Sequence, residues 1–265
     1  MPETLKSVDH ALSVMEYLAG ASDPQTLTAL SREFGLSKAS MHRLLATLRT
    51  RGYVVKDPVT ARYGFGLTAS RLAQQAGAGD GLTEACWPAM RWLWKRTEET
   101  VLLAVRDGDT AVIVEKIDSN RPVLATYSLG RLMPLHAVSA GLALLSRSPD
   151  AEVRELLAEA NLAAFTAHSP RSIDAVWYDI RTTRLKGYAI NRERFRDGVC
   201  GVSAPVFGLD RRRPAAAIAL CVPAIRFEAQ LDSMCEFVVA AARRASDALS
   251  TESKLQSDEF SPDKE

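Results

Sequence analysis

The chain has 265 residues and 47% hydrophobic content, enough for one large or two ordinary globular domains. Its 33 Lys and Arg nearly balance 32 Asp and Glu, so the molecule is no polycation and any hold on nucleic acid must come from a local patch. No apolar signal core occupies the start, MPETLKSVDH, no stretch reaches the eighteen apolar residues of a membrane span, and Cys86, Cys200, Cys221 and Cys235 show neither C-x-x-C spacing nor a histidine pair; a cytoplasmic chain with reduced thiols and no metal or cofactor is expected.

In chain order, Val8, Ala11, Leu12, Met15 and Leu18 recur at helical spacing and predict a helix with one buried stripe, stopped by Gly20. Leu27, Leu30, Ser31 and Phe34 repeat the pattern briefly and end at Gly35, a natural residue for the turn after a helix. Ser37 can then cap a third helix, whose inner side is Met41, Leu44, Leu45 and Leu48 and which ends near Gly52. Two β-prone stretches follow, 53–55 and 63–65, joined through the turn signal Asp57-Pro58 into a hairpin.

Three short helices and a hairpin, with Gly between the second and third helices, form the pattern of a winged helix-turn-helix. The outer side of the third helix presents Ser37, Lys38, Ser40, His42, Arg43 and Thr47 without a single acid, and Lys56 and Arg62 stand at the ends of the hairpin. Cations neutralise phosphates, hydroxyls bond to phosphate or base edges, and Arg can pair with guanine through two hydrogen bonds, so this face suits double-stranded DNA.

Residues 67–81 read as a linker helix dissolving into a glycine-rich junction. Gly77, Gly79 and Gly81 follow a polar helix rather than a strand and lack the G-x-G-x-x-G spacing, which argues against a nucleotide loop. A long helix comes next, with Trp87, Met90, Leu93 and Trp94 near one face and Pro88 admissible only in its first turn. Strands are predicted at 101–105, 111–117, 123–127, 188–191, 199–206 and 215–221, with helices at 137–145, 151–158, 173–186 and 227–249. The domains expected are thus a mainly α winged helix-turn-helix at 1–66, the linker at 67–81, an α+β domain with an antiparallel sheet at 82–250, and a polar, disordered tail at 251–265.

The arrangement resembles the IclR family of bacterial transcriptional regulators. The resemblance spans the chain up to the tail and rests on the winged helix and two later segments. The first matches at Gly130, Pro134, Leu135, His136, Ala137 and Gly141, with Leu142 where the family usually has Lys; the second matches at Gly198, Val199, Ala204, Pro205, Val206 and Phe207. The resemblance implies a GAF-like effector-binding domain, dimers or tetramers, and control of catabolic operons. It also places effector contacts at Asn191, Val199, Gly201, Ala219 and Cys221 on facing strands, with Met133 and Ala125 nearer a loop. Members that bind small keto acids carry Asp, Cys and Ser at several of these positions, so the wall here reads as less polar and roomier.

The segment PLHAVSAGLALL adds a reading from its own physics. The start of an apolar helix there could receive a ligand carboxylate at Ser139, Ala140 and Gly141, or those small residues could serve close helix-to-sheet packing. His136 is either a ligand contact or a structural hydrogen bonder. A medium-sized organic acid, more aromatic than keto-acid in character, is the effector expected.

Two other classes of function compete with this reading. An enzyme would need a G-x-G loop after a strand, or a G-x-S-x-G nucleophile, and neither is present. A redox-sensing regulator could use Cys200 and Cys221 if they lie on neighbouring strands, with Arg226 the basic neighbour on offer to lower a thiol pKa.

Overall fold

The computed structural model of the chain describes residues 5–21, 23–75, 80–159 and 162–259. It divides into two compact units, Met1–Ala78 and Gly79–Glu265. The first contains α1 (Lys6–Gly20), α2 (Leu27–Glu33), α3 (Lys38–Thr50), the strands β1 (Val54–Lys56) and β2 (Tyr63–Phe65), and α4 (Thr68–Gln75). Local chemistry sets these boundaries. Thr26 caps α2 by accepting from the Ala29 N–H, Gly35 turns the chain at φ +62°, and Ser37 caps α3 by accepting from the Ser40 N–H at 3.1 Å. The core gathers Val14, Leu18, Leu30, Met41, Leu45, Leu48, Val54 and Tyr63.

The stripe expected along α1 is turned. Val14 and Leu18 are buried, while Val8 and Leu12 are 51% and 53% exposed. Apolar residues occupy a wide arc of this helix, and spacing alone does not tell which part of the arc meets α3. Gln25 adds a single-residue bridge to Tyr63 beside the hairpin that the sequence did not announce.

The second unit is a six-stranded antiparallel sheet in the order β5-β4-β3-β8-β7-β6, built from β3 (Thr100–Asp107), β4 (Thr110–Ile117), β5 (Leu132–Pro134), β6 (Ala189–Arg192), β7 (Val199–Phe207) and β8 (Pro214–Pro223). One face packs on α5 (Asp80–Thr97) and α10 (Leu231–Glu259), reached from β8 through α9 (Ala224–Phe227) and a single 3-10 turn; the other packs on α6 (Ser139–Leu145), with α7 (Asp150–Glu159) and α8 (Ile173–Lys186) outside it. Alternation along β8 divides the two cores: Ala216, Ile218, Leu220 and Val222 face α5 and α10, and Ala217, Ala219 and Cys221 face α6.

Four details differ from expectation. Residues 123–127 form no strand, because the third partner of that half of the sheet is β5, which pairs with Thr110 to Val112 of β4. Pro88 sits inside α5 rather than in its first turn, since the helix starts at Asp80; it omits one backbone bond there. The last helix continues to Glu259, into the segment expected to be a disordered tail, through Glu, Lys, Leu and Gln with no Gly or Pro to stop it. Of the glycine-rich junction, residues 76–79 lie outside the described residues, and Asp80 and Gly81 are already helical.

Helix α6 lies unusually close to its surroundings. A Cβ on Gly141 would meet the Leu135 carbonyl oxygen at 2.2 Å, and one on Gly201 of β7 would meet Ser139 Oγ at 3.0 Å and the Leu220 carbonyl oxygen at 2.9 Å. Gly141→Ala therefore forces backbone apart, and we expect a loss of about 1–3 kcal/mol of stability in urea unfolding of the full chain. An alanine variant as stable as the parent would show that α6 is free to slide.

Candidate functional site

The exposed side of α3 carries the first candidate surface. Lys38, His42, Arg43 and Thr47 are exposed, and Ser40 is half-buried. Arg49, which the sequence reading left out, is exposed on the flank that Lys38 and His42 share at helical spacing. Two of the hydroxyls have local duties: Ser37 is occupied as the cap and donates to Ser40 Oγ at 3.0 Å, and Thr47 Oγ1 donates to the Arg43 carbonyl at 3.0 Å. The free charge of the face therefore belongs to Lys38, Arg43 and Arg49. At the hairpin, Arg62 Nη1 donates to the Pro24 carbonyl at 3.1 Å and ties the wing to the loop before α2, whereas Lys56 is exposed with its Nζ 5.5 Å from the Tyr63 ring. The wing turn is held by Asp57, which accepts from the Val59 and Thr60 N–H groups at 2.8 and 2.7 Å; these bonds hold its carboxyl below the usual range.

The second candidate is the sheet face under α6. Strand register aligns Asn191 with Gly201 and Gly201 with Cys221, and it sets Ser203 beside Ala219 in the next row on the same face. Ala125, Met133, Ala140, Val199, Ala219 and Cys221 join one buried cluster there. His136 and Ser139, each 4% exposed, border it from the start of α6. All eleven positions named from the sequence are buried.

Their chemistry differs in part from expectation. Ser139 Oγ is hydrogen-bonded to Ser203 Oγ at 2.7 Å, and the space left by Gly201 is taken up by Ser139, so this position supplies close packing and not room. Asn191 Oδ1 accepts from the Arg194 N–H at 2.9 Å and serves the turn after β6. Beside this row runs a wall of rings that the sequence reading missed. Phe165 lies 5.0 Å from Phe195 and 6.1 Å from His136, and Phe195 lies 6.0 Å from Tyr127, centroid to centroid. The wall is assembled by two loops. Thr166 Oγ1 and Ser169 Oγ donate to the Glu193 and Arg194 carbonyls at 2.6 Å, which brings the Phe165 loop onto the Phe195 loop.

Charge gathers at the Tyr127 end. The Arg131 guanidinium is 5.9 Å from the Phe195 ring. Burial raises the Tyr127 phenol well above its ordinary range, and the neighbouring Cys221 adds to this, while Arg196 and Arg131 pull the other way. At the opposite end burial lowers the His136 pKa, outweighing its hydrogen bond to the Ala163 backbone, and so favours the neutral ring. Among the described residues its buried Nε2 has no hydrogen-bond partner. The segment between β4 and β5 that carries Ala125 and Tyr127 is anchored by Glu99, fully buried, which binds Arg226 through both oxygens; Arg226 in turn donates to the Val123 carbonyl at 2.8 Å.

Comparison with known proteins places both candidates in context. Residues 7–58 match the model of the IclR helix-turn-helix domain, and residues 76–247 match that of the bacterial transcriptional regulator IclR C-terminal domain. The chain is 30% identical over 243 residues to the HTH-type transcriptional regulator BhcR of Paracoccus denitrificans, covering 91% of this chain and 86% of that protein. It is 27% identical over 224 residues to the transcriptional repressor IclR of Escherichia coli, covering 84% and 81%. Among solved structures, an IclR homolog from Microbacterium hydrocarbonoxydans complexed with 4-hydroxybenzoate superposes with a TM-score of 0.81 at 18% identity, over 92% of this chain and 99% of that one.

The pairing proposed for a redox sensor is overturned by register. Cys200 stands opposite Val222 and Cys221 opposite Gly201, so the two thiols, although on neighbouring strands, enter opposite cores. Burial raises both, Cys221 to about 12. Thiolate chemistry is thus suppressed, and the native chain is expected to resist iodoacetamide at pH 8 at both positions. An unfolded thiol ionises near 9.0, whereas folded Cys221 keeps its proton to about 12, so its contribution to stability is full below pH 9 and is lost as pH rises towards 12. Rapid carboxymethylation of Cys221 in the folded chain, read by mass spectrometry, would contradict this.

Proposed function

Because the chain belongs to the IclR family of bacterial transcriptional regulators, we propose that this DNA-binding regulator is a ligand-controlled switch for a catabolic operon, working in the cytoplasm. Its relatives are named as regulators of transcription, and the family is not one of enzymes. In this reading the first unit holds operator DNA as part of a symmetric dimer or tetramer. Leu5, Val8 and Leu12, all exposed along the start of α1, offer a second copy an apolar strip to cover. Two-fold symmetry would set half-site centres about 34 Å apart, or a multiple of that, so that both copies of α3 enter the major groove from one side.

Arg43, at the middle of the exposed face of α3 and free of ion pairs among the described residues, is the side chain assigned to base edges, with Lys38, Arg49 and Lys56 on phosphates. Arg43→Ala should cost about 1–3 kcal/mol of operator affinity and relax base preference, whereas Lys56→Ala should weaken all sequences alike and lower the salt slope by about one. Binding isotherms at several salt concentrations separate the two. Identical behaviour of both variants would defeat this division of roles.

The effector reading is carried by one observation, the unpartnered Nε2 of His136 at the end of the ring wall. With its other nitrogen engaged at Ala163 and the ring neutral, Nε2 is an acceptor, and a buried acceptor calls for a donor. An effector hydroxyl would supply it. The body of the ligand then lies along Phe165 and Phe195, and its carboxylate reaches Arg131 and Arg196 at the Tyr127 end. The start of α6, considered for the carboxylate on sequence grounds, is less suited, since the Leu135 carbonyl oxygen crowds Gly141 and repels an anion.

The effector is accordingly a hydroxylated aromatic acid, and 4-hydroxybenzoate is the probe to use. At a hundredfold excess over its dissociation constant it should add about 2.7 kcal/mol to stability, measured by thermal shift. Benzoate should bind more weakly, and His136→Phe should abolish the preference between the two. A strong shift with pyruvate or glyoxylate and none with either aromatic acid would remove the proposal.

A further inference from the structure

A concavity of the sheet unit is separate from the ring wall. It is a cleft of about 420 Å³ between the end of α6, the end of α8, α10 and the last residues of β7. Its position follows from the sheet. β6 pairs with β7 only from Cys200 to Ser203, so beyond Ser203 the outer edge of β7 has no strand beside it.

An open edge invites strand addition, yet this one is poorly equipped for it. Pro205 has no N–H, and the Phe207 N–H is already bonded to Ser246 Oγ at 2.9 Å. The hydroxyls in the wall are spent as well: Ser146, Thr183 and Ser246 donate to the carbonyls of Ala143, Asp179 and Ala242. Recognition in the cleft therefore falls to charge.

The charge is one-sided. Arg147, Lys186, Arg211 and Arg243 line the cleft, and no ion pair among the described residues uses any of them. A fifth cation, Arg184, is consumed by the Ser146 and Ser148 carbonyls and Asp150 at 2.7–2.8 Å and serves to fix the end of α6. The lining contains one acid, Asp247. In a chain with a net charge of +1, four unpaired cations around one concavity form a local field that an anion would relieve. The apolar floor of Phe207, Val239 and Ala242 leaves room for the body of a small molecule.

We infer that this cleft is a binding site for a small organic phosphate, distinct from the proposed effector site. Three guanidinium groups suit a phosphate or diphosphate because each can offer paired N–H donors to its oxygens, and a cleft of this volume admits a metabolite and not a duplex.

Inorganic pyrophosphate is the probe, titrated by calorimetry into the full chain. The expected result is saturable binding of one pyrophosphate per chain, weakened about tenfold or more in the double variant Arg147→Glu, Arg243→Glu. Arg43→Glu and His136→Phe should leave it unchanged, which separates the cleft from the DNA-contact face and from the proposed effector site. Should charge reversal lower the unfolding temperature, the pair Arg147→Gln, Arg243→Gln is read in the same way. Absence of saturable binding, or binding that the cleft variants keep and Arg43→Glu loses, overturns the assignment.

Discussion

Close approach of α6 to β7 and β8 is the constraint on which the sheet unit depends. On the sheet side it needs Gly201, whose place is taken up by Ser139, and it is closed by the hydroxyl pair Ser139–Ser203; Gly141, within the helix, lets the Leu135 turn that leads into α6 fold against it. Each of these polar atoms is buried, so the pair keeps both hydroxyls satisfied where water is excluded. With α6 fixed, His136 is fixed three residues before it, and so is one end of the ring wall. The opposite end of α6 is fixed too, through Arg184, and forms one side of the basic cleft. One short helix thus lies between a wall of rings and a cleft lined with cations.

Small residues are what make the approach possible, and they also explain why the wall is less open than its composition implies. Ala217 and Ala219 face α6 from β8, and their short side chains bring the helix down rather than leave a void. The aromatic contacts of this face then come from side chains on loops. Phe165, Phe195 and Tyr127 reach the site from three separate connections, held by bonds between loop hydroxyls and backbone carbonyls and by the buried Glu99–Arg226 pair. A buried carboxylate of this kind is tolerated because a bidentate guanidinium answers both its oxygens.

In the first unit the economy is different. Hydroxyls on α3 that look available in the sequence are partly engaged in shaping the helix itself, as Ser37 and Thr47 show. Long cations carry the surface chemistry, and their positions follow from which side of α3 is buried by Met41, Leu45 and Leu48. The polar face of a short helix therefore combines two functions, with caps that hold its end and charges that reach outward.

What the sequence by itself determined is whatever depends on neighbours along the chain. Ser37 and Gly35 bracket the turn before α3, and near-continuous apolar runs mark β7 and β8; each is a local signal of capping or composition, and the structure follows it. The candidate face of α3 was legible for the same reason, because one helix presents it whole. Tertiary structure alone decided what depends on pairing across distance. Register put Cys200 and Cys221 on opposite faces and selected β5 over residues 123–127, while helix packing set the buried side of α1 and loop hydrogen bonds brought Phe165, Phe195 and His136 together from segments with no shared period. A strand shifted by one residue exchanges its faces without changing its own pattern, so no reading along the chain can settle which side chains meet.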